Sequence, residues 1–392
     1  MPSVFDQKVD RSGPFSWLKD DFTPRPVKEA GLLGFAGAEF EFPTCPAIAK
    51  GIRELAEKGI YGFTLPGDGY YNAIIWWMKE VRGCDIQPEW ILPTHGTIYS
   101  LATSIRLVTQ PGENIMILTP GYHRYEQAAT RLGRGTVKIP LADKDGRYFM
   151  DWDALENAMA RPENKILVLT NPNNPTGTIF PREDLERIAA LSRKYGVLVY
   201  SDEIFADVTF HGKQALLYAD VAEENDLAIS CTALGKTFSM TGVNHANVLI
   251  KNTRLRQQFQ LQRNADHYGS IDPFLHAALV SVYSPEGKQW LQELKEYVWS
   301  NYEFFKAFFR SRFPEIVISE PEGSFVVWAD FTATGMTAEQ LDQLLCKEGL
   351  FVGDPGEEFY GREACFRYSL AVPRCELERS LAYLDAALKN YR

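Results

Sequence analysis

A single lysine, Lys236, follows an apolar segment at 227–231 that has the composition of a buried strand. Lysine side chains are seldom buried without a partner, so this residue either reaches water from a loop or serves a reaction. In the second case, desolvation and a nearby cation would lower the pKa of the amine and leave it nucleophilic towards an aldehyde. The stretch 227–242 leaves both alternatives open, and the rest of the chain decides between them.

Short apolar segments alternate with amphipathic ones along most of the chain. The predicted strands lie at 114–118, 135–140, 165–170, 197–201, 227–231 and 246–250, and the predicted helices at 46–59, 70–81 and 182–195. This alternation is typical of an α/β fold in which helices cover both faces of a mainly parallel sheet. Ligands collect at the carboxyl ends of such strands. The residues predicted at those ends are Gly96, Thr97, Tyr122, Asn174, Asp202 and Lys236.

The chain is too long for one simple core, and its 392 residues divide into three predicted parts. Prolines and the pair Gly13 and Pro14 predict an irregular N-terminal arm at 1–45 that joins the small domain. A three-layer αβα large domain is predicted at 46–280. A smaller α+β domain follows at 281–392. Its predicted elements are helices at 290–309, 338–348 and 375–387 and strands at 325–328, 351–352 and 366–370.

Charge and composition argue against several classes of function. The formal net charge is −10 and no basic run exceeds two residues, which argues against nucleic-acid binding. No apolar run reaches the roughly 18 residues that span a bilayer, and the N-terminus lacks the pattern of a signal peptide. The six cysteines form no CxxC pair and have no histidine at metal-ligand spacing. We therefore expect reduced thiols, no metal site and a cytoplasmic location.

Several motifs occur in an order that resembles a known family. They are TPGY, NPNNPTG, YSDEI, the lysine segment, PEGSF and FRYSLAVPR. Together they resemble fold-type I pyridoxal-phosphate enzymes of the aminotransferase class I/II superfamily. The stretches DRSGPFSWLKDDF, GIYGFTLPGDGYYNAIIWWM and YEQAATRLGR resemble its MalY/PatB-like group, the cystathionine β-lyases that cleave C–S bonds. The likeness extends from about residue 8 to 388 and favours a covalent role for Lys236.

The resemblance implies a role for each candidate residue. Lys236 would bond to the aldehyde of pyridoxal 5′-phosphate and then move the substrate α-proton. Asp202 would keep the pyridine nitrogen protonated, and Tyr122 would stack on the ring. The remaining cofactor contacts are assigned to Gly96, Thr97, Asn174 and Thr232. Of these, Gly96 and Thr97 would bind the phosphate at a helix start, and Asn174 would bind the ring oxygen O3′.

Two arginines near the C-terminus are candidates for binding an amino-acid substrate. Arg367 would hold the α-carboxylate through a bidentate pair, which lysine could not reproduce. Arg374 is a weaker candidate with a structural role favoured. The resemblance also implies a homodimer whose cofactor pocket lies at the subunit boundary, completed by the arm and the loop at 61–70.

Some positions depart from the family pattern. Ala233 replaces a hydroxyl residue three positions before the lysine, Phe205 follows SDEI, and Phe63 stands where a tyrosine commonly reaches the neighbour's phosphate. His245 lies in a segment that is usually apolar or small. We favour a packed loop histidine over a substrate-side residue at that position. The arm stretch 35–42 also differs, so the substrate is not carried over with the resemblance.

Three functions remain open at this point. The first is a lyase that eliminates the β-sulfur of cystathionine or a related S-substituted cysteine. The second is an aminotransferase, possible with the same residues because Arg367 and Lys236 serve both reactions. The third is a binding protein that has lost its chemistry, which is disfavoured because buried charges without a task are costly.

Overall fold

The computed structural model of the chain describes residues 3–11 and 23–391. Gly13 and Pro14 of the predicted arm, nearly all of the motif at 10–22 and the final residue of the predicted small domain lie outside the described residues. None of the described helices is both long enough and apolar enough to cross a membrane.

Thirteen strands and twelve α-helices make up the described part of the chain. The strands are β1 (Ile91–Thr94), β2 (Asn114–Thr119), β3 (Gly135–Pro140), β4 (Ala142–Lys144), β5 (Arg147–Phe149), β6 (Asn164–Thr170), β7 (Leu198–Asp202), β8 (Ala228–Thr232), β9 (Ala246–Leu249), β10 (Val317–Ile318), β11 (Val326–Asp330), β12 (Asp354–Pro355) and β13 (Cys365–Ser369). The helices are α1 (Arg25–Glu29), α2 (Pro46–Lys58), α3 (Asp68–Arg82), α4 (Thr97–Val108), α5 (Arg124–Arg131), α6 (Trp152–Met159), α7 (Arg182–Tyr195), α8 (Thr253–Ala265), α9 (Pro273–Val282), α10 (Pro285–Arg312), α11 (Ala338–Leu341) and α12 (Arg374–Tyr391). A π-helical turn, Asp342–Glu348, continues α11.

The larger sheet has seven strands in the order β1-β9-β8-β7-β6-β2-β3. All neighbouring pairs from β8 to β3 are parallel, whereas β9 runs antiparallel to both β8 and β1. The predicted α/β fold with a mainly parallel sheet is confirmed. Because β9 is reversed, its amino end lies at the edge where the other strands have their carboxyl ends, with Ala246 opposite Thr94.

Helix boundaries follow local signals in the sequence. Helix α7 covers the predicted range 182–195, because Pro181 stands at its N-cap and Gly196 ends it in a left-handed conformation at φ 66°. Helix α3 ends in the same way at Gly83, with φ 65°. Both glycines occupy a conformation that other residues adopt only with strain.

The smaller sheet has the order β10-β11-β13-β12 and is antiparallel throughout. The prediction of a strand at 351–352 is wrong, because the strand lies at Asp354–Pro355. Phe351 is instead buried by stacking on Phe35 of the arm, with ring centroids 4.4 Å apart. The predicted domain boundaries at residues 45 and 280 stay predictions.

Candidate active site

A cavity of about 960 Å³ opens at the carboxyl edge of the larger sheet. Its volume is in the range of sites that enclose a small molecule. The predicted residues that line it are Gly96, Thr97, Tyr122, Asn174, Asp202, Lys236 and Arg367. Thr232 does not belong to the described wall. It is buried at the end of β8, and the neighbouring Ala233 lines the cavity instead.

Lys236 follows β8 on a turn that is fixed by buried contacts. The hydroxyl of Thr237 donates to Asp207 at 2.9 Å, and Phe238 is fully buried, so the two residues after the lysine are anchored. The Lys236 Nζ donates to the carbonyl of Ala38 at 2.7 Å. Burial, followed by the charge of Arg367, lowers the pKa of Lys236 to about 8. About a tenth of this amine is therefore neutral and nucleophilic at pH 7, far more than for an ordinary lysine.

Asp202 ends β7 and is a buried part of the cavity wall. Its Oδ2 accepts a hydrogen bond from the Tyr125 hydroxyl at 2.8 Å, and its Oδ1 accepts one from the Ile204 amide at 3.3 Å. Burial raises the pKa of Asp202 to about 6, although both hydrogen bonds oppose that rise. A buried carboxylate of this kind is costly without a cationic partner, and a protonated ring nitrogen would supply one.

Arg367, on β13, is buried and held in a network of polar side chains. Its Nε and Nη2 donate to Asp354 Oδ2 at 2.9 and 2.7 Å, and its Nη1 donates to Asn174 Oδ1 at 2.9 Å. The Asp354 carboxylate also accepts from the Gly37 amide at 3.0 Å. A guanidinium has five N–H donors, so two remain for a further carboxylate. The network fixes the orientation of that remaining fork.

Tyr122 follows β2 and is half-buried in the cavity wall. Its ring packs edge-on against Tyr125, with centroids 5.5 Å apart and an interplanar angle of 88°. Burial raises the pKa of the Tyr122 hydroxyl, so the side chain is neutral. The ring lines the cavity that Asp202 also lines, and aromatic side chains in such cavities commonly cover planar ligands.

Gly96 and the start of α4 form one end of the cavity. Gly96 has a φ of 97°, a conformation that favours glycine. The backbone amides of Thr97, Ile98 and Tyr99 donate to no described residue, and all three residues line the cavity. Unpaired amides at a helix N-terminus favour an anion such as phosphate.

Tyr125 and Asp354 are parts of the site that were not predicted from the sequence. Tyr125 stands three residues after Tyr122, but nothing in the sequence indicates that its hydroxyl reaches Asp202. Asp354 lies on the two-residue strand β12, and its contact with Gly37 joins positions 317 residues apart. Contacts of this range depend on the complete fold and leave no local pattern.

A family comparison agrees with the geometry. The family model described as aminotransferase class I and II matches residues 30–384. The chain belongs to this family. The curated relatives include cystathionine beta-lyase PatB of Bacillus subtilis, 29% identical over 98% of this chain and 99% of that protein. Protein MalY of Escherichia coli is 27% identical over 99% of each chain.

Solved structures of the family have the same architecture. Cystalysin from Treponema denticola, whose crystal structure contains pyridoxal 5′-phosphate, superposes with a TM-score of 0.92. It is 28% identical, and the match covers 100% of both chains. The family resemblance expected from the motifs is thus confirmed along nearly the whole chain.

Proposed function

We propose that this chain is a pyridoxal-phosphate-dependent carbon–sulfur lyase that eliminates the β-sulfur of cystathionine or a related S-substituted cysteine. The observation that carries the proposal is one cavity that brings together Lys236, Asp202 and Arg367. The first has a lowered pKa, the second is a buried carboxylate, and the third is a buried guanidinium with unused donors. Relatives named as cystathionine β-lyases and C–S lyases support the choice of reaction.

The cavity fits the proposed cofactor at three points. The Lys236 amine suits an aldehyde, Asp202 suits a protonated ring nitrogen, and the unpaired amides at the start of α4 suit a phosphate. Asn174 and Tyr122 line the space between these points. When bound, pyridoxal phosphate supplies a conjugated ring that stabilises negative charge at the substrate α-carbon. Thr232 is the one predicted cofactor residue for which the structure offers no contact with the cavity.

Arg367, Lys236 and Asp202 have different roles in the proposed reaction. Arg367 binds the substrate α-carboxylate with its two remaining donors and orients the amino acid. The neutral Lys236 amine accepts the α-proton as a general base. Asp202 would hold a proton at the ring nitrogen of the bound cofactor. The bond from the β-carbon to sulfur breaks with its electron pair leaving on sulfur, and the thiolate takes up a proton to leave as the thiol. Hydrolysis of the remaining fragment yields pyruvate and ammonia.

Arg367→Lys tests the assigned substrate contact. Lysine cannot reproduce a bidentate fork and would leave Asp354 and Asn174 without their donors, so we expect KM to rise roughly 10- to 100-fold. Steady-state kinetics with cystathionine measure the change. The matched control is Arg374→Lys, because Arg374 contacts Ser300 at 2.9 Å and does not belong to the described cavity wall. Equal effects of the two substitutions would contradict the assignment.

An aminotransferase is the second candidate, because the matching family model is named for that activity. Lys236 would then return the proton to the cofactor instead of allowing the sulfur to leave. Purified protein incubated with cystathionine distinguishes the two. Pyruvate, ammonia and thiol in equal amounts without an added keto acid support the lyase. Turnover that requires a keto acid acceptor and releases no thiol supports the aminotransferase.

We further propose a cytoplasmic homodimer. The apolar side chains of Ile60, Tyr61, Phe63 and Leu65 are exposed together on one loop, as expected of a surface that a second subunit covers. All six cysteines are free, which suits a reducing compartment. Sedimentation equilibrium should give twice the chain mass of 44.4 kDa.

A further inference from the structure

One carboxylate in the cavity wall joins two parts of the site. The side chain of Asp354, on β12, is 13% exposed and lines the cavity. Its Oδ2 accepts from the Nε and Nη2 atoms of Arg367 at 2.9 and 2.7 Å. The Gly37 amide donates to the same carboxylate and lies 3.0 Å from each of its oxygens. Asp354 therefore connects the substrate-binding arginine to the N-terminal arm.

The contacts on Arg367 fix its guanidinium and leave two donors for a ligand. Asp354 takes one N–H of Nη2 together with that of Nε, and Asn174 takes one N–H of Nη1 at 2.9 Å. The guanidinium carbon lies 4.4 Å from the ring centroid of Phe359. One N–H remains on each terminal nitrogen, which is the number that a bidentate carboxylate needs. Without Asp354, the long side chain would lose the contact that sets the direction of this pair.

The contact on the arm places a carbonyl against Lys236. Backbone hydrogen bonds at Phe35 and at Glu41 tie the arm to β13 and to the segment that follows it. Between these two points, the same carboxylate holds the Gly37 amide. The next residue, Ala38, accepts from the Lys236 Nζ at 2.7 Å through its carbonyl. Holding Gly37 therefore fixes the carbonyl that receives the amine.

Asp354 also changes the charge that acts on this amine. Burial lowers the pKa of Lys236 to about 8, and Arg367 makes the largest charge contribution in the same direction. The other charged groups that act on the amine belong to the cavity wall, and they are Arg124, which lowers the pKa, and Glu39 and Asp202, which raise it. Because Asp354 pairs with Arg367, its negative charge offsets part of the effect of the guanidinium.

We propose that Asp354 is a positioning residue for two groups at once: it orients the Arg367 fork that binds the substrate carboxylate, and it holds the Ala38 carbonyl that receives the Lys236 amine. The role at Arg367 rests on the substrate assigned in the proposed function. The role at Lys236 concerns the unmodified amine and is independent of which reaction follows.

Asp354→Asn tests the role at Lys236 in the full chain after cofactor removal. The pKa of Lys236 is measured from the pH dependence of its acetylation by acetic anhydride, followed by peptide mass spectrometry. We expect this pKa to fall below the wild-type value by roughly half a unit to one unit. The variant loses a negative charge beside Arg367, and it loosens the carbonyl whose hydrogen bond favours the protonated amine.

The same variant tests the role at Arg367 through steady-state kinetics with cystathionine. The amide of asparagine cannot accept from both Gly37 and the two donors of Arg367, so the fork loses its fixed direction. We expect KM to rise roughly 10-fold, as for a weakened contact to a charged group.

The direction of the pKa change separates positioning from loss of structure. If the substitution only opened the wall to water, the pKa of Lys236 would rise towards the ordinary value of about 10.4. An unchanged or raised pKa would therefore overturn the proposal, as would an unchanged KM. If the wild type releases no thiol from cystathionine, the proposed function fails instead, and the pKa measurement still decides the role at Lys236.

Asp330→Asn is the matched control. Asp330 also accepts from an arginine, Arg362, and from a backbone amide, that of Thr332 at 2.8 Å, but it is not among the described residues of the cavity wall. This substitution should leave both the pKa of Lys236 and KM unchanged. Asp354→Glu keeps the charge on a side chain one methylene longer and should recover most of the wild-type pKa. A glutamate variant that behaves like the asparagine variant would contradict the role of the carboxylate.

Discussion

Replacement of Lys236 with alanine is expected to lower thiol release from cystathionine by more than about 10³-fold, because the variant loses both the nucleophile and the general base. The visible absorbance that arises from the cofactor bound to the amine should disappear with it. Mass spectrometry of the wild type after borohydride reduction should locate the cofactor on the peptide that contains Lys236. The lowered pKa of this amine, about 8, is the physical basis of the expectation.

Lys295 provides a matched control for this variant. Burial also lowers the pKa of Lys295, but the residue lies on α10 and is not among the described residues of the cavity wall. Lys295→Ala should therefore keep both the absorbance and the activity. Retention of the cofactor absorbance in Lys236→Ala, or its loss in Lys295→Ala, would show that the covalent residue is misassigned.

Asp202→Asn is expected to reduce the same activity by at least about 10²-fold, because the amide carries no charge to hold a proton on the ring nitrogen. Tyr125→Phe keeps the carboxylate and removes the 2.8 Å hydrogen bond to it, together with a 3.2 Å hydrogen bond to Thr170, so its loss of activity should be smaller. Initial rates measured at saturating cofactor separate this effect from weaker binding. Equal activity of Asp202→Asn and the wild type would refute the role of the carboxylate.

The Asp202→Asn substitution should also stabilise the cofactor-free protein at neutral pH. Burial keeps Asp202 protonated in the folded state up to a pH of about 6, whereas in the unfolded chain the carboxyl loses its proton near its ordinary pKa. The free energy of unfolding therefore falls as the pH rises from about 4 to 6. For a shift of about two pKa units, this lowers the free energy of unfolding of the wild type by about 3 kcal/mol. The variant avoids this loss but is destabilised by about 1 kcal/mol, because it lacks the hydrogen bond from Ile204. Asp202→Asn should thus unfold at a higher temperature than the wild type at pH 7.

The pH dependence supplies the check on this stability effect. Near pH 4 the wild-type carboxyl is protonated in the folded state, so the advantage of the variant should vanish there. Thermal unfolding of both cofactor-free proteins from pH 4 to pH 7 measures the difference. An advantage that stays constant over this range would mean that ionisation of Asp202 is not its cause.

Much of the sheet and several site residues could be predicted because their signals are local. Proline before α7 and glycine after it mark a helix regardless of what packs around it. Asn174, Asp202 and Lys236 follow apolar strands, and parallel strands bring their carboxyl ends to one edge. That rule alone places these three side chains around a common cavity, as the structure does.

The remaining contacts could not be predicted because they join segments that are distant in the sequence. The apolar character of Phe351 predicts that it belongs to a strand. In the structure it is buried by stacking on Phe35, and the strand that pairs with β13 begins at Asp354 instead. The ring of His245 contacts Asn247, two residues away, and Tyr70, 175 residues away, through its Nε2 atom. The sequence favours a packed loop histidine at position 245, but no local pattern indicates which residues pack against its ring.

The single reversed strand, β9, has a consequence for engineering the pocket. Its hydrogen-bond ladder with β1 begins at Ala246, so positions 243–245 face the cavity without contributing to that ladder. A randomised library confined to Val243 and Asn244, which are less buried than His245, would vary the lining of the cavity and preserve the backbone pairing beneath it. The turn is thus a place where new ligand preferences can be selected with little risk to the scaffold.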